Sequence, residues 1–536
     1  MTTPSLTLEG VTHVLPDGRT LFSDLCEQFD ARPTGLVGRN GTGKTVLARI
    51  LAGELQPSAG RCVGSGRVHY LVQQVAPPEA AVADLAGMRE TLEALARIEA
   101  GSCAPEDFEA VGERWDVRQR LQHELERNGL GHLDAATPAA ALSGGEAMRV
   151  ALIGALLSEA DFLILDEPSN HLDRPNRRAL IEQLQRWPRG LLVISHDRQL
   201  LNAMQRIVEL SALGLRSYGG NYDFYAQAKA RERQSAIENL ELAKTQRRRE
   251  EQALREQRER QERRQARGNR QGKEANQAKI LLDRQKERSE SSAGKLRQQQ
   301  AAAREQLAQR VREAARQVED EVAIVVHAVP VTQAAQRRVA VLEEVTLPFV
   351  AAATRDISLT ITGQQRIGVV GPNGCGKSTL LRVLAGQLAP RAGSCTVVAQ
   401  RVYLDQRLAT LDPQRSVLDQ LRSASHSARE GDLRMWLAQL GLDAQRVTLP
   451  SGALSGGERL KAALACVLYA EPPAQLLLLD EPSNHLDLTS TQALEAMLRG
   501  YAGALLVVSH DEVFLEGLGL THRLEASELG WVLGFW

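Results

Sequence analysis

The eight residues Gly38-Arg39-Asn40-Gly41-Thr42-Gly43-Lys44-Thr45 recur, 333 positions later, as Gly371-Pro372-Asn373-Gly374-Cys375-Gly376-Lys377-Ser378. Both stretches read GxxxxGK followed by Thr or Ser. Glycines at these positions let successive backbone N–H groups turn inward on an anion. The helix expected to follow presents the positive end of its dipole, and the lysine adds a full charge. The pattern predicts strand, phosphate-binding turn and helix, twice in one chain.

Four further patterns repeat in the same order. Tyr-Leu-x-Gln ends at Gln73 and at Gln406, again 333 apart. Leu142–Glu146 (LSGGE) returns as Leu454–Glu458, and Leu165–Asp173 (LDEPSNHLD) as Leu479–Asp487. Ser-His-Asp closes each copy at His196 and His510. Five patterns in one order exclude coincidence and define two copies of one module. Each copy reads as α/β: runs such as Thr34 to Val37, Phe162 to Leu165 and Leu191 to Ser195 are short, apolar and end at motif residues, as buried parallel strands do. Ligands of such sheets bind beyond the strand C-termini, where these motifs fall. The first copy carries about 21 extra residues between Gln73 and Ser143, helical in character. They form either a larger helical subdomain or an arm that contacts a partner.

The residue types specify a chemistry. Lys44 and Lys377 would meet the β- and γ-phosphates, and Thr45 and Ser378 would supply a hydroxyl to Mg²⁺. Asp166 and Asp480, ending apolar strands, would hold Mg²⁺ through water. The adjacent Glu167 and Glu481 would orient and deprotonate an attacking water, and His196 and His510 would touch the γ-phosphate.

LSGGE together with the phosphate loops, the Gln pattern and Ser-His resembles the ATP-binding cassette superfamily. EPSNHLD after the acidic strand is similar to its ABC-F subfamily of soluble twin-cassette proteins, and the similarity covers nearly the whole chain. The resemblance implies a fold of two cassette (P-loop NTPase) domains, residues 1–222 and 321–536, joined by a helical linker over 223–320. It implies that two ATP molecules are sandwiched between the cassettes. Ser143, Gly144 and Gly145 would then face the ATP held by Lys377, and Ser455, Gly456 and Gly457 the ATP held by Lys44. Gln73 and Gln406 would serve nucleotide and Mg²⁺. Departures from the family pattern are small. Lys461 stands where the first copy has Arg149, and no adenine-stacking aromatic is evident, His13 and Leu347 being the nearest candidates. Cys375 inside the second loop is either a tolerated small residue or a point of sensitivity to thiol reagents.

From Lys229 to Asp320 the composition changes. Twenty-five Lys and Arg stand against 16 Asp and Glu, a net of +9, with no Pro and no aromatic residue. Helix formers fill nearly every position. Arg247, Arg248 and Arg249 and a further series from Arg255 to Lys273 lead into ARGNRQGKE, where Gly268 and Gly272 are expected to break the helix. The expectation is a helical hairpin with a basic tip, its first arm running roughly 50 Å. The whole chain of 536 residues has a net charge of only −1, so the modules and flanks must carry −10. Near-neutrality thus conceals a basic probe suited to phosphate backbones. In the subfamily this position holds the interdomain linker, which in many members contacts ribosomal or transfer RNA, and Asn221, Tyr222 and Tyr225 look like its entry. The scarcity of aromatics, 4% overall, favours backbone contact over base stacking.

The six cysteines are scattered without ligand spacing, which suggests neither zinc nor disulfides and fits a reducing compartment. The sequence shows no secretory signal and no apolar run of membrane-crossing length. The reading is therefore a cytoplasmic, monomeric twin-cassette ATPase acting on the ribosome in translation or antibiotic resistance. The alternatives are the ATP-binding subunit of a transporter, where a 92-residue basic spacer has no evident use, and a DNA-associated relative, disfavoured by the mere 26 residues after His510.

Overall fold

The structure is a computed structural model, and it describes residues 4–71, 80–158, 160–170, 172–274, 301–302, 304–315, 337–350, 352–405, 411–442, 444–484 and 486–536. Gln73 and Gln406 lie outside the described residues.

In the first cassette the strands are β1 (Leu6–Val14), β2 (Thr20–Phe29), β3 (Thr34–Val37), β4 (Ala59–Gly64), β5 (Val68–Leu71), β6 (Phe162–Asp166), β7 (Gly190–Ile194), β8 (Arg206–Ser211) and β9 (Gly214–Tyr218). Its helices are α1 (Lys44–Leu51), α2 (Val82–Leu85), α3 (Arg89–Glu99), α4 (Pro105–Val111), α5 (Val117–Arg127), α6 (Gly144–Leu157), α7 (Arg174–Gln185) and α8 (Arg198–Asn202). The larger sheet has the order β5-β6-β7-β3-β8-β9; the first five run parallel and β9 returns antiparallel. Every residue of β6 and β7 is buried, which is why both read as uninterrupted apolar runs and not as alternating ones. A second, antiparallel sheet, β2-β1-β4, packs its buried Leu6, Leu8, Val11 and Phe29 with Leu47 and Ile50 of α1.

The register sets the site. Asp166 pairs with Ile194, and Ile194 with Leu36, so β3, β6 and β7 end side by side. The phosphate loop, the acidic pair and Ser-His leave the sheet at one edge, where strand order reverses about β3. The extra residues of the first copy belong to a lobe with its own core. Leu92, Leu95, Val111, Leu121 and Leu125 pack with Ala147, Val150 and Ile153 of α6. At about 2 kcal/mol for each large side chain buried, this lobe is a packed part of the cassette.

The segment Tyr225–Glu321 forms a separate compact unit. Helix α9 (Tyr222–Glu274) spans 53 residues, about 80 Å at 1.5 Å per residue. The break expected at Gly268 and Gly272 is not there: α9 runs through both. Each glycine costs a helix only about 1 kcal/mol, and the surrounding run of Arg, Gln, Glu and Ala, without proline, outweighs that. Pairs such as Arg247–Glu251 and Gln234–Glu238 lace its surface. A further helix, α10, covers 304–315; the stretch ARGNRQGKE, expected as the hairpin tip, is instead the last part of α9, and residues 275–300 after it lie outside the described residues.

The second cassette repeats the plan. Its strands are β10 (Arg338–Thr346), β11 (Asp356–Thr362), β12 (Arg366–Val370), β13 (Ala392–Val397), β14 (Arg401–Leu404), β15 (Leu476–Asp480), β16 (Ala504–Val508), β17 (His522–Ser527) and β18 (Gly530–Phe535). Its helices are α11 (Lys377–Ala385), α12 (Val417–Ala424), α13 (Glu430–Gln439), α14 (Gly456–Leu468), α15 (Leu488–Arg499) and α16 (Glu512–Gly517). The sheet order β14-β15-β16-β12-β17-β18 mirrors the first. Among the described residues, no helix is long and apolar enough to cross a membrane.

Candidate functional site

The two phosphate loops join β3 to α1 and β12 to α11. Gly43 and Gly376 precede the helices at φ +96° and +97°. A Cβ at Gly43 would lie 2.6 Å from Leu21 Cδ2, and one at Gly376 2.8 Å from Val350 Cγ2, so neither position admits a side chain. Lys44 Nζ donates to the carbonyls of Gly38 (2.7 Å) and Arg39 (3.1 Å), and Lys377 Nζ to those of Gly371 (2.9 Å) and Pro372 (2.8 Å). Both ammonium groups are thereby folded over their own loops. Burial lowers the Lys44 pKa, while the carboxylates of Glu167, Asp487 and Asp166 oppose the shift.

At the ends of β6 and β15 the carboxylates gather hydroxyls. Ser378 Oγ donates to Asp480 Oδ1 at 3.1 Å, and Thr45 bonds Asp166 in the same way. A third group was not foreseen. Tyr70 Oη donates to Asp166 Oδ2 at 3.3 Å, and Tyr403 Oη to Asp480 Oδ2 at 3.1 Å. These tyrosines open the Tyr-Leu-x-Gln repeat on the neighbouring strand, so the signal was present; only its glutamine had been given a role. Burial raises the pKa of Asp166 despite its donors, and it pushes the Tyr403 phenol up to about 12. A buried carboxylate set among hydroxyl oxygens is a donor set that suits a hard divalent cation, so these residues fit Mg²⁺.

Glu167 and Glu481 follow at φ +53° and +50°, left-handed values that side chains rarely adopt. Their N–H groups donate to Ile194 O (2.8 Å) and Val508 O (2.9 Å), which holds the backbone in that shape. Glu167 Oε1 and Glu481 Oε1 are buried without a hydrogen-bond partner among the described residues. Burial pushes both carboxyls up to about 8. His196 Nε2 lies 3.7 Å from Glu167 Oε1, and His510 Nε2 3.5 Å from Glu481 Oε1. Burial, reinforced by the nearby lysine, lowers both imidazoles to about 3, so they are neutral at physiological pH.

Ser143 and Ser455 cap α6 and α14 in reciprocal capping boxes. Ser143 N–H reaches Glu146 Oε2 (2.8 Å) while Glu146 N–H reaches Ser143 Oγ (3.3 Å); the second copy repeats this at 2.9 and 3.4 Å. The glutamate of LSGGE therefore orders the helix end whose N–H groups face outward.

The cassettes meet across these sites. Asn40 N–H donates to Asp487 Oδ2 at 2.9 Å, and Asn373 N–H to Asp173 Oδ2 at 3.3 Å: each phosphate loop is held by the last residue of the other copy's LDEPSNHLD. Sequence reading found that motif but gave its final Asp no task, because a contact between positions 447 residues apart leaves no local trace. Lys461, on the helix capped by Ser455, is close enough to interact with both Asp487 and Arg39.

Two candidates change. Leu347 is 1% exposed and belongs to the core, whereas Phe349 is 90% exposed at φ +60°, next to the Val350 that packs on Gly376. In the first cassette, His13 lies against Phe22, ring centroids 6.1 Å apart. Burial also raises the pKa of Cys375, which disfavours the reactive thiolate.

Two α/β cassettes, each carrying a phosphate loop, an acidic strand end and a capped signature helix, and locked loop to loop, define a twin ATP-binding cassette protein. A family model described as ABC transporter matches residues 30–170 and 354–484. The tylosin resistance ATP-binding protein TlrC of Streptomyces fradiae is 32% identical over 95% of this chain and 95% of its own length. The energy-dependent translational throttle protein EttA of Mycobacterium tuberculosis is 30% identical over 90% and 84%. Among solved structures, archaeal ribosome recycling factor aABCE1 in complex with stalk protein aP1 superposes with TM-score 0.57 at 20% identity, covering 96% of this chain and 87% of that one. That likeness speaks for the fold alone. The chain belongs to the ABC-F subfamily of the ATP-binding cassette proteins, and it is an ATPase.

Proposed function

We propose that the protein binds and hydrolyses ATP at two composite sites between its cassettes and uses that cycle to act on the ribosome. The reciprocal bonds of Asp487 to Asn40 and of Asp173 to Asn373 carry the composite-site reading. Lys44 and Lys377, with the loop N–H groups of 38–45 and 371–378, would bind the phosphates. Ser143 to Gly145 and Ser455 to Gly457 would close over them from the opposite cassette. Glu167 and Glu481 would orient and deprotonate the attacking water; a base whose pKa lies near the working pH both accepts the proton and yields it again. The neutral His196 and His510 would donate toward the terminal phosphate. Mg²⁺, when bound, neutralises phosphate charge. Thr45, Ser378, Asp166 and Asp480, with Gln73 and Gln406, are the residues that would hold it. Phe349, exposed beside the second phosphate loop, would stack on the base at the second site.

The ribosome is the proposed partner on two supports. One is α9, where Arg248, Arg249, Arg255, Arg260, Arg263 and Arg267 are exposed on a helix without aromatic residues beyond its first turn. The other is the naming of two relatives as a tylosin resistance protein and a translational throttle protein. On this reading the protein is a cytoplasmic monomer whose linker contacts ribosomal or transfer RNA, through phosphates and with little regard for sequence. The Glu167→Gln, Glu481→Gln protein should keep ATP and co-sediment with ribosomes in its presence. Equal pelleting with and without ATP would reject the ribosome as partner.

A further inference from the structure

Arg177 and Thr491 occupy equivalent positions 314 residues apart, in the first turns of α7 and α15. They behave differently. Thr491 Oγ1 donates to Asp487 O within its own helix, at 3.0 Å. Arg177 leaves its cassette: one terminal nitrogen donates to the backbone carbonyl of His510 at 2.7 Å, while its Nε lies 3.0 Å from Asp197 Oδ2. Both Arg177 and Asp197 side chains are about nine-tenths buried.

Each partner belongs to a Ser-His-Asp loop. Asp197 directly follows His196 and caps α8, its Oδ1 accepting from Gln199 N–H and Leu200 N–H at 2.9 and 3.2 Å. His510 N–H donates to Glu481 Oε2 at 3.3 Å. One side chain thus links the histidine loop of the first cassette to the histidine and glutamate of the second. The surrounding contacts are equally one-sided. Arg198 pairs with Glu495 at 2.9 Å, Arg174 with Glu512, and Gln199 Nε2 donates to Glu512 Oε2 at 3.0 Å. Cations come from the first cassette and carboxylates from the second. The position equivalent to Glu495 is Ile181, and that equivalent to Arg198 is Glu512, so the Arg198–Glu495 pair cannot recur about the pseudo-twofold axis.

We propose that Arg177 is a positioning residue that makes the second ATP site answer to the first cassette, so that the two sites turn over ATP unequally. When the cassettes pair, the guanidinium fixes the His510 carbonyl and, through the loop, the seat of Glu481. When they part, it keeps only Asp197. The first site has Thr491 in the matching place and is not coupled in this way. A fork-shaped, permanently charged donor suits a carbonyl and a carboxylate at once, which a lysine does only in part. The inference rests on the reading that Glu481 and His510 act on ATP at the second site.

The test uses the full chain. Glu167→Gln leaves the second site to hydrolyse, and Glu481→Gln leaves the first. Arg177→Thr and Arg177→Lys are placed in each background, and kcat and KM for ATP are measured. With Glu167→Gln, Arg177→Thr should lower kcat about tenfold while KM stays within about twofold, and Arg177→Lys should recover part of the loss. With Glu481→Gln, kcat should change by less than about twofold. Equal losses in both backgrounds, or no loss in the first, overturn the proposal. If either Gln background is inactive, a single-turnover measurement on Arg177→Thr alone decides: slowing of one phase supports the proposal and equal slowing of both rejects it. Should Arg177→Thr not fold, Arg177→Lys must show the same inequality between sites. Unimpaired turnover in the double Gln protein would instead reject the assignment of the glutamates themselves, a separate result.

Discussion

Glu167 and Glu481 hold a left-handed backbone that costs about 1–3 kcal/mol each. Strain of this size persists where the surrounding structure over-determines it, here through the N–H bonds to Ile194 and Val508. Glycine meets no such cost. Glu481→Gly should therefore raise stability by about 1 kcal/mol while lowering turnover at its site at least about a hundredfold; a thermal melt and an ATPase assay read the two effects. The raised pKa adds a pH dependence of definite sign. A carboxyl shifted from 4.5 to about 8 keeps its proton in the folded state, so its own contribution to stability is full below pH 4.5 and is lost as pH rises from 4.5 through 8. Glu481→Gln should flatten that part of the melting profile, and an unchanged slope would refute the shift.

At the scale of elements, the signature helices begin at serines whose capping boxes join Ser to the Glu three residues on. Ser455→Ala should cost about 1 kcal/mol in a denaturant titration, with Ser143→Ala costing about the same. Helix α9 supplies the sharper contrast. Its two glycines had pointed to a break, yet the helix continues to Glu274. Gly268→Ala should thus raise helicity and stabilise the segment by up to about 1 kcal/mol, seen by circular dichroism. A loss of helicity would show that Gly268 is a turn after all. Local composition fails here because a glycine in a helix and a glycine in a turn differ by an energy that many good helix formers together outweigh.

At the scale of the whole molecule, Asp487 joins the two cassettes through the Asn40 N–H. Burial alone would raise its pKa, but the N–H groups of Asn40 (2.9 Å) and Ser490 (2.8 Å) and the hydroxyl of Thr489 (2.9 Å) outweigh burial and hold it at about 2. Its carboxylate contributes about 2 kcal/mol above pH 4, and this is lost as pH falls from 3.8 through 2. Asp487→Asn should remove that segment of the acid-denaturation curve, and an unaltered curve would show that the contact with the opposite loop adds nothing.

Much of the site was legible because its chemistry is local. A phosphate loop needs glycine, lysine and a hydroxyl within eight residues, and an acidic strand end needs only an apolar run before it. The repeat then established two α/β modules, and composition marked the helical segment between them. What is decided across space left no such mark. Phe349 and Leu347 differ in role only because one faces outward and the other the core. Tyr70 reaches Asp166 only because β5 pairs with β6, and Asp487 reaches Asn40 only because two modules lie face to face. Arg177 and Thr491 look like a chance difference between copies until one of them is found on the carbonyl of His510. Sequence by itself determined the parts and their chemistry, since each part is built from neighbours in the chain. Tertiary structure decided which parts lie together and that the two copies make different contacts, since those contacts join residues hundreds of positions apart and exist only where the cassettes meet.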